Sequence, residues 1–278
     1  MGMSDFPQFS ADVGAVLGAV VARPQGTLLV FDFDGTLADI HPDPEAVVAL
    51  PGVIEALTTL AELGSQVAVV TGRPATFPAE AGGMSAVPGI VVYGRHGVES
   101  WEEGALHSPE PPPAVESART ALGEIVATGP AGTHLEDKGY SVAVHTRRCA
   151  DPAGALAELE PRVEQLAARL GLEIMPGRYV RELRPPGNDK GDAVMILAER
   201  FSPEVVVFAG DDLGDVPAFR AVRSLRGDGG VVTVDRGLAI AVAAPEVPEV
   251  GAEADVVVDR PAELRDLLRT LARLASGG

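Results

Sequence analysis

Three stretches of the chain are apolar almost without interruption, and each stops at a polar cluster. Thr27-Leu28-Leu29-Val30-Phe31 runs into Asp32, Gln66-Val67-Ala68-Val69-Val70 into Thr71, and Val205-Val206-Val207-Phe208-Ala209 into Gly210-Asp211. Short runs lacking polar alternation are the pattern of parallel strands covered on both faces. Between the first two, residues 44–63 carry Val47, Val48, Ile54, Leu57, Leu60 and Leu63 at helical spacing, and residues 89–93 add a third strand. The first part of the chain therefore reads as βαβαβ.

Pro109-Glu110-Pro111-Pro112-Pro113 interrupts this pattern, since proline continues neither a ladder nor a helix interior. Beyond it the spacing predicts a helix over 114–127, then alternating stretches over 133–138 and 141–147 joined at Gly139. A helix over 153–170 and a second alternating pair, 172–175 and 179–184 hinged at Pro176-Gly177, complete a segment that Pro185-Pro186-Gly187 closes. Paired alternating stretches predict antiparallel hairpins. The earlier grammar then resumes, with helices over 190–200, 216–225 and 262–275 and strands at 205, 231–234 and 256–258. The expected organisation is an α/β core in two pieces, 1–108 and 187–278, around an α+β insert, 109–186.

Parallel neighbours present their C-terminal ends on one edge of a sheet, where such folds bind ligands. Asp32, Asp34, Thr71, Asp211 and Asp212 are thereby expected to converge. An aspartate there can attack phosphorus, and one two residues on can protonate the leaving oxygen. A lone Asp-x-Asp is also compatible with a polar turn. Two like charges about 4 Å apart repel by roughly 4 kcal/mol at an effective dielectric near 20, so several carboxylates call for a cation. Oxygen donors without clustered Cys or His point to Mg²⁺ before Zn²⁺.

Composition sharpens one residue. Of the 22 Lys plus Arg only two, Lys138 and Lys190, are lysines. Lys190, in Asn188-Asp189-Lys190-Gly191-Asp192 at the start of a predicted helix, is placed to hold phosphate, with a solvated surface lysine as the plain alternative. The net charge of −18 argues against a nucleic-acid or anionic membrane partner. The single cysteine, Cys149, excludes an intrachain disulfide and fits a reducing compartment; it is expected to pack beside Val144. No run approaches the ~18 apolar residues of a membrane span, and Met1-Gly2-Met3-Ser4-Asp5-Phe6 lacks the charged start of a secretory signal, so the expected location is cytoplasmic.

Asp32-Phe33-Asp34-Gly35-Thr36, Thr71, Lys190 and Asp211-Asp212, in that order, resemble the haloacid dehalogenase superfamily. The resemblance implies a Rossmann-like core with a mostly parallel sheet and an inserted α+β cap of the C2 type. It implies Asp32 as nucleophile, Asp34 as general acid and then base, and Thr71 and Lys190 as phosphate holders. Mg²⁺ would sit on Asp32, Asp211 and the backbone carbonyl of Asp34.

The insert narrows the resemblance. Leu135-Glu136-Asp137-Lys138, Ser141, His145-Thr146-Arg147, Glu182-Leu183-Arg184-Pro185, Asn188-Asp189-Lys190-Gly191 and Gly210-Asp211-Asp212 are similar to the trehalose-6-phosphate phosphatase family over nearly all of the chain after residue 25. That family's cap grips the disaccharide, which implies Glu136, Lys138 and Glu182 as ligands of glucose hydroxyls, joined by Arg147 and Asn188. Gly72 and Arg73 after the second strand, and Arg95 and His96 in Gly94-Arg95-His96-Gly97, are implied to face the substrate. The implied activity is Mg²⁺-dependent hydrolysis of trehalose 6-phosphate, with a functional link to a trehalose-phosphate synthase. Another sugar phosphate such as sucrose phosphate, or a non-catalytic binding domain, stays open, and a solvent-facing ladder of cross-strand pairs is the plain reading of the insert's charges. One departure stands out. The family ending Gly-Asp-Asp-x-Thr-Asp-Glu appears as Gly210-Asp211-Asp212-Leu213-Gly214-Asp215-Val216, which leaves the choice between Asp212 and Asp215 at the metal open. His145 is read equally as a buried neutral histidine or a hydrogen-bonding one.

Overall fold

The computed structural model describes residues 6–226, 234–244 and 247–277. The chain packs as two units, one of residues 1–108 with 188–278 and one of residues 109–187.

The first unit is built on an eight-stranded sheet. Its strands are β1 (Thr27–Phe31), β2 (Gln66–Val70), β3 (Val91–Gly94), β4 (Glu99–Glu102), β5 (Ala105–His107), β10 (Val205–Gly210), β11 (Arg236–Val242) and β12 (Val256–Val258). Their spatial order is β12-β11-β10-β1-β2-β3-β4-β5, parallel from β12 to β3 and antiparallel over β4 and β5. Alternate residues of the central strands enter different cores. Leu29, Phe31, Val67, Val69, Val205 and Val207 pack with α1 (Ala11–Ala22), α2 (Val53–Glu62) and α7 (Pro261–Ala275), while Leu28, Val30, Ala68, Val70, Val206 and Phe208 pack with α5 (Lys190–Phe201) and α6 (Val216–Leu225). Covering on both faces is why these strands are apolar at nearly every position. β1 lies between β2 and β10, with Phe31 opposite both Val69 and Ala209, so three strand ends share one edge at a topological switch point.

The second unit has a four-stranded antiparallel sheet in the order β6-β7-β9-β8, from β6 (His134–Asp137), β7 (Val142–His145), β8 (Glu173–Gly177) and β9 (Val180–Arg184). Leu135, Val142, Val144 and Leu183 pack against α3 (Pro113–Thr128) and α4 (Pro152–Leu170). Period-2 alternation puts Glu136, Ala143, His145 and Glu182 on the opposite face.

Several expected elements differ. The helix expected from residue 44 begins at Val53, because Pro51 disfavours helical backbone at Leu50; only a short turn, Pro44–Ala46, precedes it. The β8–β9 hairpin turns at Arg178-Tyr179 rather than Pro176-Gly177, with Tyr179 at φ 63°. Residues 231–233 of the strand expected over 231–234 lie outside the described residues; the strand that pairs with β10 is Arg236–Val242. α1, β4 and β5 were not expected. Cys149 is buried, with Thr133 Oγ1 3.6 Å from its Sγ.

Candidate active site

Asp32 follows β1 directly. Its N–H donates to the Ala209 carbonyl of β10 at 2.9 Å, carrying the ladder one residue beyond the strand. Its carboxylate thereby meets the loop after β10, which carries Asp211 and Asp215. Lys190 closes the cluster from the first position of α5, its Nζ 2.7 Å from Asp32 Oδ1 and 2.7 Å from Asp215 Oδ1. A capping box fixes that helix start: Asp189 Oδ1 accepts the Asp192 N–H at 2.9 Å, and Asp192 Oδ2 accepts those of Asp189 and Asn188 at 3.1 and 3.0 Å. Asp215 Oδ2 accepts the N–H groups of Asp211 (2.9 Å) and Asp212 (3.0 Å), so one carboxylate shapes the loop and holds the lysine.

One oxygen each of Asp32, Asp211 and Asp215 lies within 4.8 Å of the others, and all three residues are buried. Burial pushes the Asp32 carboxyl up to about 7 against the opposing pull of Lys190. Burial, reinforced by Asp215 and Asp212, pushes Asp211 up to about 7, and burial pushes Asp215 up to about 8. For Lys190 burial works against the charge, yet Asp215 and Asp32 outweigh it and hold the ammonium above the ordinary lysine range. One firm cation thus faces three acids that resist ionising together. A hard divalent cation with oxygen ligands fits this donor set and would relieve that resistance. The turn before Thr36 is drawn in against the cluster: Gly35 has φ 74°, a Cβ there would overlap the Asp211 carboxylate, and Thr36 Oγ1 donates to Asp211 Oδ1 at 3.4 Å.

Asp34 has a different partner. Arg73 grips it with a two-pronged fork, Nη2 to Oδ1 at 2.6 Å and Nε to Oδ2 at 2.7 Å. The guanidinium is itself held by the Pro44 carbonyl at 2.7 Å and lies over the Phe77 ring, 4.1 Å from its centroid. Thr71 is buried at the end of β2, and its Oγ1 accepts the Arg73 N–H at 3.1 Å, leaving its own proton to donate. The His96 ring packs over Gly72, where a Cβ would come within 3.0 Å of it.

In the second unit the polar sheet face is wired internally. Glu182 accepts from Lys138 Nζ and from Ser141 Oγ, each at 2.6 Å, and Lys138 Nζ lies 4.0 Å from Glu136. His145 Nε2 is 2.7 Å from Glu136 Oε2, and its ring stacks on His134 at 4.8 Å. Arg147 is exposed beyond β7.

A family model described as trehalose-phosphatase matches residues 30–262, most of the chain and both units. The chain belongs to the trehalose-phosphatase family. The trehalose-phosphate phosphatases of Mycobacterium marinum and Mycobacterium tuberculosis are each 34% identical to it over 232 residues, covering 79% of this chain and 57% and 56% of those proteins. The chain thus spans a little over half the length of these curated relatives. A solved structure of Aspergillus fumigatus trehalose-6-phosphate phosphatase shares the fold, with a TM-score of 0.69 at 23% identity over 94% of this chain and 98% of that one.

Of the residues expected at a trehalose-phosphatase site, Asp32, Lys190 and Asp211 come together, and Asp215 joins them while Asp212 is exposed at the rim of the loop. Asp34 is paired with Arg73, a contact that sequence spacing does not predict. Asn188 takes a left-handed conformation, φ 69°, immediately before the helix that carries Lys190. Thr36 and Phe77, which touch Asp211 and Arg73, are neighbours of the site that the sequence reading does not name. Thr36 has a signal in its place beside the paired aspartates.

Proposed function

We propose that this protein hydrolyses trehalose 6-phosphate to trehalose and phosphate through an aspartyl-phosphate on Asp32. The observation that carries this reading is the meeting of Asp32, Lys190, Asp211 and Asp215 at the ends of β1 and β10. An Asp32 oxygen attacks phosphorus, the bond from phosphorus to the sugar oxygen breaks, and that oxygen takes a proton from Asp34. Asp34 then takes a proton from water, whose oxygen attacks phosphorus and releases phosphate and the Asp32 carboxylate. Lys190 and the Thr71 hydroxyl hold phosphate oxygens, and Arg73 keeps Asp34 oriented.

Asp32 and Asp211 would hold a Mg²⁺ ion, with Asp215 supporting them, because Asp215 already commits Oδ2 to two amides and Oδ1 to Lys190. When bound, the ion supplies positive charge that offsets the crowded carboxylates and the phosphate. Glu136, Lys138 and Glu182, with Arg147 and Asn188, recognise sugar hydroxyls in this reading, and residues 109–187 act as the specificity-determining cap. The reading also includes a functional link to a trehalose-phosphate synthase, whose product is the substrate, and a cytoplasmic setting. Among the described residues no helix is long and apolar enough to cross a membrane. The test is phosphate release from a panel of sugar phosphates with and without Mg²⁺, for wild type and Asp32→Asn. Trehalose 6-phosphate should be the best substrate and the folded variant inactive; turnover by Asp32→Asn refutes the covalent mechanism.

A further inference from the structure

Glu99 is a carboxylate only 6% exposed for which the proposed reaction has no use. It opens β4, and its two oxygens point to different loops. Oε1 accepts the Ala75 N–H at 2.7 Å, and Oε2 lies 3.3 Å from Arg95 Nε. Ala75 ends the segment Thr71-Gly72-Arg73-Pro74-Ala75 after β2, and Arg95 follows β3. One side chain therefore ties together the two loops that carry Thr71 and Arg95. The backbone lies in close contact at the same place: the Arg95 N–H donates to Arg73 O, the His96 N–H to Thr71 O and the Thr71 N–H to Tyr93 O, each at 2.9 Å. A Cβ on Gly94 would overlap the Ala75 backbone. Arg95 and His96 both adopt left-handed backbone, φ 49° and 59°, which side-chain-bearing residues seldom hold without support from their surroundings.

We propose that Glu99 is a positioning residue for oxyanion binding: by holding the Ala75 amide and Arg95 together it sets the Thr71 hydroxyl and the Arg95 guanidinium to grip the substrate phosphate. The proposal rests on the phosphatase reading above. Three substitutions grade the tie. Glu99→Asp shortens the side chain by one methylene, too much to reach both partners. Glu99→Gln keeps the acceptor for Ala75 without the charge for Arg95, and Glu99→Ala loses both.

The experiment measures thermal unfolding first, then kcat and KM for p-nitrophenyl phosphate and the Kd of orthovanadate by calorimetry, all in Mg²⁺ buffer. Expected is a rise of about tenfold in both KM and vanadate Kd for Glu99→Ala and Glu99→Asp, with kcat within about threefold of wild type, and a rise of no more than about threefold for Glu99→Gln. If Glu99→Ala does not fold, Glu99→Asp and Glu99→Gln decide the matter. Unchanged KM and vanadate Kd in folded Glu99→Asp overturns the proposal, as does a loss confined to kcat or a wild type that binds no vanadate. A wild type that binds vanadate but hydrolyses no phosphate ester sinks the phosphatase reading instead, while the vanadate series still judges Glu99.

Discussion

Replacing Lys190 by Met keeps the length of the side chain and deletes its charge at the centre of the site. In the native protein Nζ stands 2.7 Å from both Asp32 and Asp215 and is only 3% exposed, so water screens these contacts little. Breaking a buried pair by removing one partner typically costs about 3–5 kcal/mol, because the remaining charge is left uncompensated. Repulsion among the acids would add to this, yet they relieve it by taking up protons, as burial already inclines Asp32, Asp211 and Asp215 to do. The net expectation is the lower end, about 3 kcal/mol. At roughly 2–4 °C per kcal/mol for a chain of this size, Tm should fall by about 6–12 °C. Thermal and urea unfolding in EDTA at neutral pH measure this directly. The pairing is isolated by a double-mutant cycle: Lys190→Met with Asp215→Asn should lose about 1–3 kcal/mol less than the two single losses added together. A fall in Tm below about 2 °C, or strict additivity, would refute the view that lysine and buried acids stabilise one another.

Chelation should abolish activity and Mg²⁺ restore it, and Asp211→Ala should weaken Mg²⁺ binding, read by calorimetry, more than Asp212→Ala does; equal weakening contradicts the placement of Asp212 at the rim. Arg73→Lys keeps the charge but not the fork on Asp34, so stability should change by less than about 1 kcal/mol for this partly exposed pair while kcat drops about tenfold. An unchanged kcat would show that Asp34 needs no such orientation. Glu136→Ala, Lys138→Ala and Glu182→Ala should each lower kcat/KM for trehalose 6-phosphate by roughly tenfold to a hundredfold and leave a small aryl phosphate nearly unaffected, as expected for about 1–3 kcal/mol per lost sugar contact. Equal losses on both substrates would remove residues 109–187 from substrate choice.

The legible parts of the fold were those where burial is written into every position. β1, β2 and β10 are covered on both faces and show it as nearly unbroken apolar runs, and α3, α4 and α7 each begin on a proline, which suits the first helical position. α1 is apolar nearly all round, so no periodicity marks it. β4 and β5 are four and three residues long, joined by Glu103-Gly104 with both φ positive, and such a tight hairpin is easily read as loop. The strand over Arg236–Val242 opens on Arg-Gly and carries two alanines, so its strand signal is weaker than that of the β-branched run Val231-Val232-Thr233-Val234 just before it. At the site, Asp32, Lys190 and Asp211 were legible from strand ends and from the rarity of lysine. The Asp34–Arg73 fork and the Glu99 tie were not, since both depend on side chains from different loops meeting in space.

The loop after β10 departs from the family ending on both sides of one acid. Gly214 and Val216 stand where the family has a hydroxyl and a final carboxylate, while Asp215 keeps the acid between them. Asp215 is fully buried and makes three bonds, to two loop amides and to Lys190. The amide bonds curl residues 211–215 into the turn that brings Asp211 to Asp32, and a Cβ on Gly210 would strike the Asp215 carboxylate, so that residue leaves it room. The lost groups flank this carboxylate without being part of that bonding. Asp215 is therefore the residue whose carboxylate links the two loop amides to Lys190. Loss of the Asp215 carboxylate would accordingly disturb two things together: the position of Asp211 beside Asp32, and the charge balance around Lys190.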